Sequence, residues 1–311
     1  MDPFLVALRP RPAIHGLGRT WAKMKKSLCC LLALALPVVR ANAAAGEPTV
    51  IDKSGFHLFN PTPTESLRQL SIDGPGNTES PYTVDAGHFQ LELSLVSYTH
   101  DRESSADAAR RFDAWSIGHI ALKAGLLNQL DAQLVLETYN LIDERANGSR
   151  VTHQGFGDTI LRFKYNLWGN DTGPTAFAVM PYVKFPTGGI GLGNNSVEGG
   201  LILPFEMALA ADFYLGFTTR FDALRDEDEL GYHTEFINSI ALSHNLFGDL
   251  AGYLEFFSAV STERGSPWLG TFDAGLIYGL SDNVQLDAGT NLGLTHSADD
   301  WNVFLGLAWR F

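Results

Sequence analysis

Residues 212–222 read DFYLGFTTRFD, and this stretch decides the fold class. Apolar and polar side chains alternate along it, so that Phe213, Leu215 and Phe217 share one face. Residues 284–295, VQLDAGTNLGLT, alternate in the same way. In a helix these polar residues would surround the axis, whereas in a strand they occupy one face. Both stretches are therefore predicted to be β-strands with one apolar and one polar face.

Twelve segments of the chain fit this pattern, and the connections between them alternate in length. They fall at about 88–99, 112–125, 130–142, 156–168, 175–186, 197–206, 212–222, 232–245, 250–261, 268–280, 284–295 and 301–311. Such strands are longer than those of soluble sheets and match the roughly 9 to 11 residues that cross a bilayer at a tilt. Short turns at one end and longer loops at the other are typical of outer-membrane barrels. The predicted fold is all-β, a transmembrane antiparallel β-barrel of about 12 strands over residues 82–311, with a soluble β-sandwich as the alternative.

The composition of the 311 residues excludes several classes of protein. A formal net charge of -13 argues against nucleic-acid binding, which needs clustered lysine and arginine. The longest apolar run, residues 28–39, is shorter than the roughly 20 residues of a membrane-spanning helix. A mean hydropathy of -0.01 resembles that of a soluble protein, but a barrel that averages an apolar with a polar face gives the same value.

The N-terminus has the pattern of a secretory signal peptide over residues 1–43. Lys25 and Lys26 precede the apolar run, and Ala41-Asn42-Ala43 follows it as a cleavage site. Because residues 1–23 precede the basic region, Met24 is the expected start and these residues an extension. Both cysteines lie inside the apolar run, so the mature chain is expected to lack disulfides and cysteine metal sites. Residues 44–81 lack periodicity and are expected to form either a periplasmic tail or a lumen plug.

The C-terminus carries an apolar stripe that ends at the last residue of the chain. The stripe consists of Trp301, Val303, Leu305, Leu307, Trp309 and Phe311. A last strand of this kind resembles the signal read by the bacterial barrel-assembly machinery. The expected location is the outer membrane of a Gram-negative bacterium, with that machinery, outer-membrane lipid and lipopolysaccharide as partners.

The polar face of the predicted strands carries charges of both signs. They are Glu92, Asp113, Asp131, Glu137, Asp158, Glu198, Glu235, Glu255, Asp273, Asp287, Lys123, Arg162, Lys164, Lys184 and Arg220. A salt-bridged packing core and a substrate path are both open interpretations. The residues expected on a substrate path are Glu92, Arg162, Lys164, Tyr182, Lys184, Glu198, Arg220, Glu255, Asp273, Asp287 and Asn291. The basic part of this set, beside Tyr182 and Glu198, could bind a carboxylate or phenolate, or balance the surrounding acids.

Other motifs carry little chemistry. Glycine-rich residues 188–194 lack the phosphate-loop spacing and are expected to form a flexible extracellular loop. The acidic run 226–229 fails the EF-hand template, and loose divalent-cation bridging to lipopolysaccharide stays open. His296, Ser297 and Asp299 match a hydrolase site by composition only. No cofactor, metal site or catalytic activity is therefore predicted.

Several longer motifs resemble the family named for the MetA pathway of phenol degradation, which comprises outer-membrane barrels described as transporters. The motifs are TESPYTVDAGHFQLE at 78–92, GDT at 157–159, RFKYNLWG at 162–169, PYVKFPTG at 181–188, EGG at 198–200, QLDAG at 285–289 and SADD at 297–300. The family often has Asp-Arg-Pro-Asp before the first motif, whereas residues 72–77, IDGPGN, lack the arginine. The resemblance implies passage of small organic compounds, with phenol-like compounds among them.

The expected function is a passive outer-membrane channel for small organic solutes, since no nucleotide site or energy-coupling motif is present. A structural or surface-interaction barrel with a closed lumen is the first alternative. An outer-membrane lipid hydrolase is the second.

Overall fold

The computed structural model describes residues 51–74, 76–104, 109–226 and 231–311. The predicted signal peptide and start at Met24 lie outside these residues. The described part contains fourteen strand segments: β1 (Phe89–Ser104), β2 (Ala109–Leu127), β3 (Leu130–Leu136), β4 (Tyr139–Ala146), β5 (Ser149–Gly155), β6 (Thr159–Trp168), β7 (Thr175–Phe185), β8 (Glu198–Ala208), β9 (Phe213–Arg225), β10 (Tyr232–Phe247), β11 (Leu250–Ser261), β12 (Leu269–Ser281), β13 (Val284–Gly293) and β14 (Trp301–Arg310). A single 3-10 turn, Thr64–Ser66, precedes them. Nowhere in the described ranges is a helix long and apolar enough to cross a membrane.

The strands close into a twelve-stranded antiparallel barrel. Closure is made by β1, which pairs with both β2 and β14. β3 and β4 are two pieces of one strand, because β2 pairs with β3 along one half and with β4 along the other. β5 and β6 are related in the same way, through β4 and β3. The predicted all-β barrel is confirmed; the two interruptions of the third and fourth strands had not been predicted.

The two ends of the barrel differ in their connections. The turns after β2, β8, β10 and β12 are short and lie at the end where Phe89 and Phe311 exchange backbone hydrogen bonds of 3.0 and 2.9 Å. At the opposite end the connections β7–β8, β9–β10, β11–β12 and β13–β14 are longer, whereas the β4–β5 hairpin has a short turn. Outer-membrane barrels have short periplasmic turns and longer extracellular loops. The end that holds Phe89 and Phe311 is therefore the periplasmic end.

Burial alternates along the strands in the sense opposite to that of a soluble protein. On β6, Leu161, Phe163 and Tyr165 are exposed, whereas Arg162 and Lys164 are buried. The exposed apolar residues face lipid, and the buried polar residues face the lumen. On β14 the C-terminal stripe of apolar residues occupies the outer positions, while Asn302, Phe304 and Arg310 point inward and are buried. An apolar outer belt on a closed barrel places the chain in the outer membrane.

Two irregularities change which residues face inward. The pairing of β1 shifts between Ser94 and Val96, and Gly118 in the facing β2 has a φ of 69°. From Gly118 toward the start of β2, the alternation of inner and outer side chains is shifted by one residue. Ser116 is therefore buried while Trp115 is exposed. The prediction that Asp113 lines the lumen is therefore wrong. Its carboxylate lies on the outer face, where Tyr98 Oη donates to it at 2.6 Å.

Candidate functional site

The candidate site is the lumen of the barrel. All the sequence-predicted path residues occupy inner positions: Glu92, Arg162, Lys164, Tyr182, Lys184, Glu198, Arg220, Glu255, Asp273, Asp287 and Asn291. Ten of them are buried and Glu92 is half-buried. The basic members lie on β6, β7 and β9, and the acidic members Glu255, Asp273 and Asp287 lie on β11 to β13. The lumen therefore has a basic wall and an acidic wall.

A stretch of chain before β1 lies between these walls; residues 71–74 and 76–86 are called the lumen segment below. On the basic wall, the Asp73 carboxylate accepts from Lys123 Nζ at 2.6 Å and also from Lys164 Nζ. Arg162 Nη1 donates to Glu79 Oε1 at 3.0 Å. Asp73 and Glu79 of the segment are therefore both ion-paired with side chains of the barrel.

On the acidic wall the same segment offers hydrogen-bond donors instead of charge. The backbone N–H groups of Asn77 and Thr78 donate to the two carboxylate oxygens of Glu255 at 2.7 and 2.8 Å. Asn77 Nδ2 donates to Asp273 Oδ2 at 2.9 Å. Among the described residues, no lysine or arginine forms an ion pair with Glu255, Asp273 or Asp287. This wall therefore keeps an excess of negative charge.

Further contacts continue the segment toward the periplasmic end. Tyr82 Oη donates to Glu206 Oε1 at 2.9 Å, and the Val84 N–H donates to Asp131 Oδ2 at 3.1 Å. Asn166 Nδ2 donates to the carbonyl of Pro81 at 2.9 Å. The lumen segment thus contacts strands on several sides of the barrel.

An ionic cluster at the periplasmic rim fixes the chain before the lumen segment. Asp171, in the turn between β6 and β7, accepts from Lys53 Nζ at 2.7 Å and from Arg68 Nη1 at 3.0 Å. Asn128 Nδ2 donates to the same carboxylate at 2.8 Å. Burial opposes ionisation of Asp171, but the bonds from Asn128 and Lys53 and the charge of Arg68 outweigh it and lower its pKa below the ordinary value. Asp171 is therefore an anionic anchor at neutral pH.

The remaining basic path residues also have acidic partners. Lys184 Nζ lies 2.5 Å from Glu198 and 3.7 Å from Asp158. Arg220 Nε donates to Asp222 at 2.5 Å, and Tyr182 Oη donates to the other oxygen of Asp222 at 2.5 Å. The arrangement favours the interpretation that the basic patch balances surrounding acids over the one in which it offers a vacant anion site.

A glycine-rich loop between β7 and β8 packs at the extracellular end of this patch. The Gly188 N–H donates to Asp158 Oδ1 at 2.9 Å, and a Cβ on Gly193 would lie 2.5 Å from the same atom. Leu192 is buried. Glycine is needed here because any side chain would collide with Asp158. The loop expected to be flexible from its composition is thus tied to the inner wall.

A cavity of 160 Å³ remains between the lumen segment and the wall formed by β1, β2, β13 and β14. Its lining includes the Phe304 ring and Val135, together with Ser116, His119 and the Arg162–Glu79 pair. A cavity of about 150 Å³ is large enough to hold benzene. The cavity therefore has the size and the mixed lining suited to one small aromatic molecule with a polar group.

Two apolar clusters line the extracellular half of the lumen. One consists of Val135, Ile160, Met180, Tyr182 and Ile202. The other consists of Ile237, Phe257 and Ala259, with Leu269 packed against it. Ile160, Met180 and Ile202 are fully buried, so these apolar side chains contact one another and not an open path.

Sequence reasoning missed the residues that the lumen segment contributes. Asp73, Asn77 and Glu79 precede the first strand, where no periodicity assigns a side chain to a face. The available signal was the resemblance motif, which begins at Thr78 and extends far ahead of β1. Phe304 lies between residues of the C-terminal apolar stripe, and it was not recognised as a candidate.

One further group of side chains lies at the extracellular ends of β9, β10 and β11. His233 Nδ1 is 3.0 Å from Asp226 Oδ1 and 3.8 Å from Glu263 Oε2. Within the described ranges these three could hold a metal ion, although no metal site was predicted. Asp226 also begins the acidic run that the EF-hand test rejected.

Comparison with solved structures finds other outer-membrane barrels. The outer-membrane channel COG4313 of Pseudomonas putida F1 is 14% identical with a TM-score of 0.53, over 78% of this chain and 100% of that one. The NanC porin is 9% identical with a TM-score of 0.44, over 71% and 98% of the two chains. The CymD monoaromatic hydrocarbon channel is 9% identical with a TM-score of 0.41, over 72% and 87% of the two chains. These likenesses concern the fold.

Comparison of sequences gives the family. No curated protein sequence is significantly similar to the chain. The profile of one family matches residues 72–311, which cover the lumen segment from Ile72 onward and the entire barrel. The chain belongs to the family described as "Putative MetA-pathway of phenol degradation".

Proposed function

We propose that the protein is a passive outer-membrane channel for small organic, phenol-sized aromatic compounds. The observation that carries this proposal is the 160 Å³ cavity inside a closed barrel, bounded by an aromatic ring and by hydroxyl, imidazole and charged groups. Membership in a family named for phenol degradation agrees with this class.

The lumen segment is proposed to act as a plug that narrows the path to the size of the cavity. Its support is the set of contacts to both walls, from Asp73 to the lysines and from Asn77 to the acids. Hydrogen bonds such as those of Asn77 exchange with water at modest net cost, so this part of the segment can yield to a solute, whereas the ion pairs of Asp73 hold the segment in the lumen. Of the stretch 44–81, residues 71–74 and 76–81 would then act within the barrel and not as a periplasmic tail.

The path is proposed to comprise the inner residues identified from the sequence, with Phe304, Ser116 and His119 added at the cavity. Because Glu255, Asp273 and Asp287 leave the lumen acidic, cationic or neutral aromatics should pass more readily than anionic ones. Arg162 and Lys164 would act by holding the lumen segment, whereas Lys184 and Arg220 would balance acids of the wall.

Uptake into proteoliposomes tests the channel proposal. Tyramine is a suitable probe, since it is a phenol whose ammonium group slows its passage through lipid. Vesicles with the full chain should take up tyramine faster than protein-free vesicles and should exclude the larger maltotriose. Equal uptake with and without protein would contradict the proposal and favour the closed structural or surface-interaction barrel.

Lipid hydrolysis is not part of the proposal. Ser297 Oγ, the nucleophile of that alternative, donates to the carbonyl of Trp268 and contacts Thr295 Oγ1 at 2.9 Å. A hydroxyl whose proton is held by a carbonyl is not activated toward attack. Phospholipase activity that disappears in Ser297→Ala would overturn this assignment.

The C-terminal stripe is proposed to serve as the assembly signal. Its six residues occupy outer positions of β14 and the residue after it, where an edge strand would present them before the barrel closes. Replacement of Trp309 and Phe311 by serine should lower the amount of barrel inserted into the outer membrane. Unchanged insertion would remove the assembly role.

A further inference from the structure

The outer face of the barrel carries four arginines in one cross-strand row near its extracellular end. Arg102 on β1 faces Arg111 on β2, which faces Arg145 on β4, which faces Arg150 on β5. Adjacent strands lie about 4.8 Å apart, so the row spans about 15 Å. Arg111 lies four residues from the exposed Trp115 on β2 and therefore shares its outer face. The other three arginines lie opposite one another on neighbouring strands and so also face outward.

Aromatic side chains mark the membrane boundary below this row. Tyr98 stands opposite Trp115 with ring centroids 4.5 Å apart, and Trp301 packs on Tyr98 at 5.2 Å. Tryptophan and tyrosine on an outer face concentrate at the level of the lipid headgroups. Arg111 is four residues beyond Trp115 on the same strand, which is about 10 Å along the membrane normal for a tilted strand. The arginine row therefore lies on the extracellular side of the aromatic residues, at the height of the phosphorylated sugars of the outer leaflet, and faces outward.

The described acids of this surface balance only part of its charge. Arg111 Nε donates to Asp113 Oδ2 at 2.6 Å. Arg145 Nη2 and Arg150 Nε both donate to Asp143, at 3.0 and 2.8 Å. The side chains of Arg111, Arg145 and Arg150 are 50%, 49% and 61% exposed.

Among the described residues, three carboxylates thus accompany four guanidinium groups, because the Asp300 carboxylate accepts from the backbone N–H of Arg102 at 3.0 Å. Like charges directly opposite one another across a sheet destabilise it. An external anion would relieve this repulsion, and the guanidinium fork suits the oxygen pairs of a phosphate. This basic row differs from the rest of the protein, because the chain as a whole carries a net charge of -13.

We infer that Arg102, Arg111, Arg145 and Arg150 bind the phosphate groups of lipid A in the lipopolysaccharide of the outer leaflet. The aromatic residues below the row contact the first part of the acyl chains, and the arginines reach the phosphorylated sugars above them. The β4–β5 hairpin, which extends beyond the closed ring of strands, supplies half of the row. Bound lipid would hold this hairpin against β2.

Native mass spectrometry of the full chain in detergent micelles tests this inference. The probes are lipid A with both phosphates, the same lipid without phosphates, and inorganic phosphate alone. The variant Arg145→Glu/Arg150→Glu removes half of the row, and Arg264→Glu is a matched control in another extracellular loop. Heat-modifiable migration in gels confirms that each variant is a closed barrel.

Phosphorylated lipid A should bind to the wild-type chain and to Arg264→Glu. The double variant should bind it about thirtyfold more weakly, since each basic residue near an anionic surface contributes about one kcal/mol, and 1.4 kcal/mol corresponds to a factor of ten. Equal binding of the dephosphorylated lipid would overturn the inference, as would an unchanged affinity of the double variant. Saturation of the site by inorganic phosphate at the same concentration would reassign it as a site for free anions.

Discussion

Asp73 is the residue on which the position of the lumen segment depends most. Its carboxylate is paired with Lys123 and Lys164, and all three side chains are almost fully buried. Removal of one partner from a buried ion pair leaves uncompensated charge and costs about 3 to 5 kcal/mol, less where water enters.

Asp73→Ala should therefore release the lumen segment and raise the single-channel conductance in planar bilayers. Glu65→Ala is the matched control, because Glu65 is an exposed acid outside the lumen segment. A conductance that stays at the wild-type value in Asp73→Ala, with the barrel still folded, would show that the segment does not limit the path.

Asp171 gives the periplasmic anchor a defined response to pH. Its pKa in the folded protein is below the ordinary value of 3.8, so its ionised form stabilises the anchor. The stabilisation is complete above that value and is lost as the pH falls through the folded pKa, because the unfolded state then binds the proton first.

Pepsin should consequently begin to cleave residues 51–70 as the pH falls below 3.8 toward the lowered pKa of Asp171. Asp171→Asn should weaken the anchor already at neutral pH, so that a neutral protease cleaves this stretch faster. Asp249→Asn, in another periplasmic turn, is the control. Equal cleavage of both variants at neutral pH would contradict the assignment of Asp171 as the anchor.

At the scale of the element, β2 shows what the amino-acid sequence could and could not predict. The period-two pattern identified the strand and placed Lys123 correctly in the lumen. It misplaced Asp113, because the reversal of parity at Gly118 depends on the positive φ of that residue and on two hydrogen bonds from Thr138 Oγ1 to the carbonyls of Ile117 and Gly118. The sequence contains 31 glycines, and a single sequence does not show which of them forms a bulge.

Gly118→Val tests the importance of this irregularity. A β-branched residue at a φ of 69° is strained, and its Cβ would lie 3.0 Å from Thr138 Oγ1. The free energy of unfolding in urea should fall by about 1 to 2 kcal/mol. Gly55→Val, at a position with open space and an ordinary φ, should leave it unchanged. Equal stability of Gly118→Val and the wild type would mean that the bulge tolerates other residues.

At the scale of the whole molecule, strand number and closure follow from patterns that any strand carries in its own sequence. The candidate site does not follow from such patterns, because it depends on a segment without periodicity. Asn77 of this segment contacts Glu255 and Asp273, which are 178 and 196 residues away in the chain. Charge pairing across such distances has no local signature. The basic residues of the wall were identified from sequence, but their partners Asp73 and Glu79 were not.

The central claim is that an aromatic solute passes through the cavity beside the lumen segment. Its most direct test is tyramine uptake by proteoliposomes that contain the wild type, Ser116→Trp or Ser116→Ala. Ser116 is buried on the cavity wall, so tryptophan should fill the cavity and alanine should leave it open. Tyramine uptake should be about tenfold slower for Ser116→Trp, which corresponds to a barrier about 1.4 kcal/mol higher, and it should be unchanged for Ser116→Ala. Equal uptake by the wild type and a folded Ser116→Trp would contradict it.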